Sequence, residues 1–76
     1  MKIVRVVWHD AFADVNGWCS VLDIDAEPCI VTSVGFLIED AKPEHVTIAQ
    51  SWNDHEHVDS VLFVPVAMVK SLQILC

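Results

Sequence analysis

The sequence predicts a mostly β domain, in which five strands form a small, strongly bent sheet or barrel. Three observations support this class. Apolar residues alternate or run in short β-branched blocks, turn residues separate these blocks at short intervals, and only one short segment has a helical pattern. Seventy-six residues provide room for one core, so we expect a single domain spanning residues 1–76.

The N-terminal half contains two predicted strands and the helical segment. Residues 2–8 alternate and form the first strand, so that Arg5 and Trp8 lie on opposite faces. After a mixed, acidic stretch with a turn signal at Asn16–Gly17, a helical turn is predicted near residues 20–24. Residues 29–38 are almost continuously apolar and predict a strand covered on both faces, with a bend or a close backbone approach at Gly35.

The C-terminal half contains three more predicted strands with short connections. In the first of them Gln50 and Trp52 share one face with Val46 and Ile48, because side chains alternate along a strand. Short links between short strands favour a bent sheet or a barrel. In chain order the elements are a turn at 39–45, a strand at 46–52, a polar turn at 53–59, a strand at 61–64, a tight connection at 65–67 and a strand at 68–75.

The composition predicts a homo-oligomer. Apolar residues make up 54% of the chain and the mean hydropathy is +0.47, yet a domain of this size buries only about 60% of the surface of its unfolded chain. A membrane span needs roughly 18 apolar residues, whereas the longest run, 61–69, is about half that length and contains Pro65. We therefore expect no membrane association, and copies of the chain that cover one another's apolar faces and strand edges.

The charge and the cysteines limit the partners and the compartment. Eleven acidic and four basic residues give a net charge of −7, which excludes a broad basic groove for nucleic acid. A local site with Arg5 or Lys70 can still hold a compact anion. The three cysteines are odd in number and lack metal-type spacing, which predicts free thiols in a reducing cytoplasm.

The tryptophans are the most informative candidates for a binding site. Trp8, Trp18 and Trp52 suit core or interface anchors, or one or two of them stack on a flat ligand such as a nucleobase. Gln50 is then placed to contact the hydrogen-bonding edge of that ligand. Lys70 has the alternative role of a solubilising charge on an edge strand. The candidate ligand-binding residues are Trp8, Gln50, Trp52, Arg5 and Lys70.

The sequence predicts neither an enzyme nor a cofactor. No serine, cysteine or lysine lies in a recognisable nucleophile context, and there is no glycine-rich phosphate loop. His9 and Asp10 are neighbours in a strand and point to opposite faces. His55 and His57, among acidic residues, would face one side only in a strand, so we interpret them as part of a solvated hairpin tip and expect no metal.

The order of elements resembles the Sm-like barrel. A short helical segment precedes a bent second strand with a glycine, and the ending 63–72, FVPVAMVKSL, is similar to the Sm ending, in which two strands flank a one-turn connection. The finer resemblance is to small phage proteins with this barrel. It is carried by the segments WHDA at 8–11, Trp18, VGFLI at 34–38, IAQS at 48–51, and the ending at 64–69.

The resemblance implies a ring of about five to seven copies, in which each last strand pairs with a neighbour's preceding strand. Sm proteins that bind RNA carry basic and asparagine-containing loops, whereas the corresponding turns here hold Glu39–Asp40 and Val66–Ala67, which disfavours RNA. Small oligomeric phage proteins include sponges that sequester host defence nucleotides. We therefore expect a non-enzymatic protein that captures a small nucleotide-type ligand in the host cytoplasm. The alternatives are a structural or protein-interaction ring and an Sm-like RNA binder.

Overall fold

The protein consists of one open five-stranded antiparallel sheet, in a computed structural model that describes residues 1–11, 17–24 and 27–76. The predicted mostly β class is confirmed, and of the two predicted forms the chain adopts a sheet that does not close into a barrel. The strands lie in the order β4-β3-β2-β1-β5. Their bounds are β1 Ile3–Asp10, β2 Cys29–Leu37, β3 His45–Trp52, β4 Val58–Pro65 and β5 Val69–Ile74.

Two short 3₁₀ turns connect the strands. Val21–Asp23 forms the first, where the Ser20 hydroxyl oxygen accepts a hydrogen bond from the Leu22 backbone N–H at 3.3 Å, so the helical turn predicted near 20–24 is present. Val66–Met68 forms the second, and β5 therefore begins at Val69 rather than at residue 68. Of the turn signal at Asn16–Gly17, Asn16 lies outside the described residues, and Gly17 has a φ of 98°, a value that favours glycine.

The hairpin between β3 and β4 is longer than predicted. The polar turn expected at 53–59 ends earlier, because Ser51 pairs with Asp59 and Trp52 pairs with Val58. The Asn53 side-chain oxygen accepts hydrogen bonds from the backbone N–H groups of His55 at 2.9 Å and His57 at 3.0 Å. This asparagine closes a tighter turn. Val58 and Asp59, which the prediction placed in the turn, pair with β3 as part of the edge strand β4.

The two edges of the sheet are β4 and β5, as the sequence predicted for its last two strands. β5 pairs with β1, but the register shifts between Val7 and Trp8, and Lys70 has no partner in β1. Such an irregularity interrupts the alternation of side chains.

Gly35 allows β2 to approach β3 closely. A Cβ atom at this position would lie 2.7 Å from the Ala49 backbone oxygen, which is closer than real Cβ contacts. The two strands pair at Phe36 with Ala49 and at Leu37 with Ile48, and directly after β2 the Ile38 N–H donates to the Thr47 backbone oxygen at 2.9 Å. Beyond Gly35 they separate, so that β2 continues along β1 and β3 continues along β4.

The core is small for a chain of this length. Val4, Val6 and Ile48 form its centre, and the partly buried Trp8 and Leu37 pack against them. The accessible surface of the chain is 5966 Å², about 1,300 Å² more than expected for a folded monomer of this mass. The radius of gyration is 15.7 Å, against about 11 Å for a compact domain. Much apolar surface is therefore left open by the single chain.

Two further observations concern the whole fold. In the part of the chain that the structure describes, no helix has both the length and the apolar character needed to span a bilayer. The three cysteines are unpaired, as predicted; Cys19 and Cys76 are exposed and Cys29 is half-buried.

Thr47→Val is expected to stabilise the protein by about 1 kcal/mol. Thr47 is 2% exposed, and its hydroxyl has no hydrogen-bond partner among the described residues. Replacing the hydroxyl by a methyl group removes this buried polar atom at similar shape. Urea denaturation measures the change, and Thr32→Val, an exposed threonine in the neighbouring strand, should change stability by less than about 0.5 kcal/mol. A destabilised Thr47→Val protein would show that the hydroxyl acquires a partner.

Candidate ligand site between the second and third strands

A cleft opens where β2 and β3 separate beyond Gly35. Its volume is about 320 Å³, at the lower end of the range of roughly 300–1,000 Å³ for small-molecule sites. We call it the β2–β3 cleft. It is lined by Ser33, Val34, Ile48, Ala49, Gln50, Ser60 and Leu62.

The lining combines an apolar floor with a few polar groups. Ile48 and Ala49 are buried and supply the floor, while the hydroxyl of Ser33 and the exposed amide of Gln50 belong to the rim. Apolar walls with a small number of placed donors and acceptors are typical of sites for small organic ligands. An amide both donates and accepts, so Gln50 is suited to the edge of a heterocycle, as the sequence predicted.

Trp8 positions this site from inside the core. Its indole N–H donates a hydrogen bond to the Ser33 hydroxyl oxygen at 3.1 Å, and its ring packs against the core cluster. Because the hydroxyl accepts from Trp8, its own proton remains to be donated to a ligand. Trp8 is thus a core anchor in the single chain, the first of the two roles considered for it.

Trp52 lies apart from the cleft. Its ring is 39% exposed and contacts Phe36 edge to face, with centroids 5.9 Å apart. It lines a separate hollow of about 150 Å³ together with Asn53 and His57. Alternation along β3 predicted that Gln50 and Trp52 share one face. The structure instead places them in two separate hollows. Pairing between β3 and β4 is interrupted opposite Gln50, where Ser60 has a φ of 55°.

The two candidate cations are in different places. Arg5 is exposed, and its guanidinium donates a hydrogen bond to the Gln73 side-chain oxygen. It pairs across the sheet with Val34, which lines the cleft, so its side chain neighbours the rim. Lys70 is exposed on β5 and is not among the residues that line the β2–β3 cleft.

The histidine cluster forms the tip of the β3–β4 hairpin. His55 and His57 lie in a turn rather than in a strand, and the His55 Nε2 is 3.7 Å from a carboxylate oxygen of Asp54. Both partners of this pair are exposed. Within the described ranges, no group of three histidine, cysteine or acidic side chains is arranged to hold a metal ion.

The basic residues have different neighbours. Lys2 is 3.6 Å from Glu39, and Lys42 lies over the Phe63 ring at 4.8 Å from its centroid. Arg5 and Lys70 lie on β1 and β5.

Sequence reasoning missed Ser33, Ser60 and a further hollow of the described surface. Ser33 interrupts an apolar β-branched run, and this is a signal that could have identified it. Ser60 depends on a backbone irregularity that residue types do not predict. The hollow has a volume of about 530 Å³ and lies beside the Val66–Met68 turn. We call it the turn hollow. It is lined by Glu44, His45, Pro65, Val66 and Ala67.

Comparison of the chain with protein-family models, with curated proteins and with solved structures gave no match. Its function has therefore to be inferred from the open sheet and from the cleft.

Proposed function

We propose that the protein is a non-enzymatic homo-oligomeric binding protein. Its subunits join through the sheet edges β4 and β5, and its β2–β3 cleft takes a small ligand of nucleotide type. The observation that carries the proposal is an open sheet with apolar side chains along both edges. Eight of the sixteen exposed large apolar side chains in the described chain lie on β4 and β5 or directly beside them: Val58, Val61, Phe63, Val66, Met68, Leu72, Ile74 and Leu75.

The size of the open surface supports assembly. The accessible area exceeds the expectation for a monomer by about 1,300 Å². A subunit with two standard contacts loses about 800 Å² in each, which is of the same order. Unpaired strand edges add backbone N–H and C=O groups that a neighbouring strand satisfies. This agrees with the ring of about five to seven copies that the Sm-like resemblance implies.

The chemistry of the cleft supports a heterocyclic ligand. Gln50 offers an amide to the edge of a base, Ser33 offers a hydroxyl proton, and the apolar floor accepts the flat face. Arg5 supplies the charge for a phosphate. Its partner is the neutral amide of Gln73 rather than a carboxylate, so its positive charge is not neutralised and can form charge-assisted hydrogen bonds with an anion.

Native mass spectrometry of the protein purified from cells tests both parts of the proposal. We expect a single oligomer that retains a small molecule, and we expect added nucleotides to raise the melting temperature of the ligand-free protein. A monomer would contradict the assembly. An oligomer whose melting temperature no nucleotide or nucleoside changes would contradict the ligand. It would instead favour an interaction ring acting through the acidic surface, with its net charge of −7.

Gln50→Leu is expected to weaken nucleoside binding about 10- to 100-fold, because a hydrogen-bonding partner of the base is lost at similar volume. The assembly should remain intact. Titration calorimetry with adenosine and guanosine measures the affinity. Gln73→Leu removes the same amide outside the cleft and should leave nucleoside binding unchanged. Equal losses in both variants would show that the cleft is not the site.

Trp52→Ala and an oligonucleotide titration separate the remaining alternatives. Loss of ligand binding with an intact oligomer would place Trp52 at the ligand, whereas dissociation of the oligomer would make it an interface anchor. Binding of oligonucleotides that weakens steeply with salt would favour an Sm-like RNA binder.

A further inference from the structure

The main chain of β2 has one side that bonds to β1 and one side that faces away from it. The Leu37 N–H donates to the Lys2 backbone oxygen at 2.8 Å, and the register with β1 continues without a shift to the start of β2. Main-chain groups alternate in direction along an antiparallel ladder, so Gly35 and Ser33 also bond to β1. Val34, which lies between them, therefore directs its N–H and C=O away from β1.

The side that faces away from β1 bonds to β3 only at the C-terminal end of β2. The Ile38 N–H donates to the Thr47 backbone oxygen at 2.9 Å, and Phe36 pairs with Ala49. Val34 is the next residue in this series, but the ladder has ended there because β3 has separated from β2. Its main-chain donor and acceptor therefore open onto the β2–β3 cleft, and Val34 is among the residues that line this cleft.

This main-chain pair determines the chemistry of a group that can bind to it. In a complete ladder, the N–H and C=O of one residue bond to an acceptor and a donor that lie side by side on the opposite strand. Adenine offers the same arrangement, because its ring nitrogen N7 accepts next to the amino group at N6, which donates. A flat ligand without such a pair would leave the main-chain groups of Val34 unsatisfied, which costs binding free energy.

Arg5 lies beside this main-chain pair. It is opposite Val34 in the ladder between β1 and β2, at a position between two hydrogen-bonded pairs, where facing side chains come closest. Its guanidinium is bonded to the neutral amide of Gln73. A ligand whose base binds to the main chain of Val34 can thus extend a phosphate towards a charged donor, while Gln50 contacts the base from the opposite wall of the cleft.

We propose that the main-chain N–H and C=O of Val34 select a heterocycle in which a ring nitrogen lies next to an amino group, so that the cleft takes an adenine-type nucleotide with its phosphate at Arg5. The inference rests on the proposed function and narrows its ligand from small nucleotide-type molecules to this class. The base is recognised by the backbone at a position that the separation of β2 and β3 leaves open.

Amide hydrogen exchange measured by NMR tests the open position. Without nucleotide, the Val34 N–H should exchange at least about tenfold faster than the Gly35 N–H, because only Gly35 bonds to β1. Saturating AMP should slow exchange at Val34 by at least about tenfold. It should leave Thr32 unchanged, since this residue faces the same way but is not among those that line the cleft. Slow exchange at Val34 without nucleotide overturns the inference.

Titration calorimetry with AMP tests the selection. Val34→Pro removes the N–H donor without removing a bond to β1, and it should weaken AMP binding about tenfold or more. Thr32→Pro removes the equivalent N–H outside the cleft and is the matched control, with wild-type affinity expected. Purine riboside 5′-monophosphate, which lacks the amino group, should bind the wild-type protein at least about tenfold more weakly than AMP.

The outcomes separate this inference from the proposed function. If AMP binds and the analogue without the amino group binds equally well, the selection by Val34 is overturned and the nucleotide site stands. Equal losses in Val34→Pro and Thr32→Pro also overturn it. If no nucleotide or nucleoside binds, the ligand of the proposed function is overturned together with this inference. Should Val34→Pro fail to fold, the comparison of the two ligands on the wild-type protein decides.

Discussion

Leu72→Pro is expected to separate the proposed assembly into monomers that keep the sheet. The Leu75 N–H donates to the Ile3 backbone oxygen at 2.7 Å, so its group faces β1. In an antiparallel ladder these groups alternate in direction, and the N–H of Leu72 therefore faces away from β1, towards the open edge. Proline is tolerated at such a position in an edge strand, because no hydrogen bond within the chain is lost.

A strand of a second subunit that pairs with this edge, however, loses its hydrogen bond to this N–H and clashes with the proline ring. We expect each subunit contact to weaken by about 1–3 kcal/mol, or roughly 5- to 150-fold. Size-exclusion chromatography with light scattering measures the mass, and circular dichroism measures the retained sheet. Leu72→Ala is the matched control, since it removes the same side chain and keeps the N–H. If Leu72→Pro leaves the mass unchanged, β5 is not an assembly edge.

Gly35→Ala is expected to destabilise the chain by about 1–3 kcal/mol, the range for overpacked sites. The new Cβ atom would lie 2.7 Å from the Ala49 oxygen and 3.3 Å from its carbon. Both are backbone atoms, so the strain can be relieved only if β2 and β3 move apart. Because the ladder between these strands is short, this movement threatens the connection between the two halves of the sheet.

Thermal and urea denaturation measure this loss. Thr32→Ala, an exposed substitution on the same strand, provides the control and should cost less than about 0.5 kcal/mol. We also expect Gly35→Ala to change the cleft, which opens directly beyond this position. Wild-type stability for Gly35→Ala would mean that β2 and β3 are not held as closely as the ladder indicates.

Local patterns predicted the parts of the fold that depend on neighbouring residues. The β-branched run after Pro28 forms β2, Ser20 caps a short turn, and Gly35 marks a close approach of two backbones. Each of these follows from the preference of one residue or one short pattern. The prediction that the last two strands form the two edges of the sheet is also confirmed.

The candidate site was less predictable, because it depends on where two distant strands stop pairing. Period-two alternation placed Gln50 beside Trp52, but the ladder between β3 and β4 is interrupted opposite Gln50, and Trp52 contacts Phe36 instead. Ser33 joins the site through the bend of β2 and the hydrogen bond from Trp8. Register and irregularities between strands are long-range properties, which residue preferences alone do not determine.

The small core has a consequence for how the protein persists in a cell. Only five apolar side chains of the described chain are buried: Val4, Val6, Ile48, Ala49 and Val64. If association supplies the remaining stability, the melting temperature rises with protein concentration by mass action. A newly synthesised copy is then vulnerable to proteases until enough others have accumulated. The protein would thus have a threshold concentration. Below this concentration it is degraded, and above it the assembled protein persists.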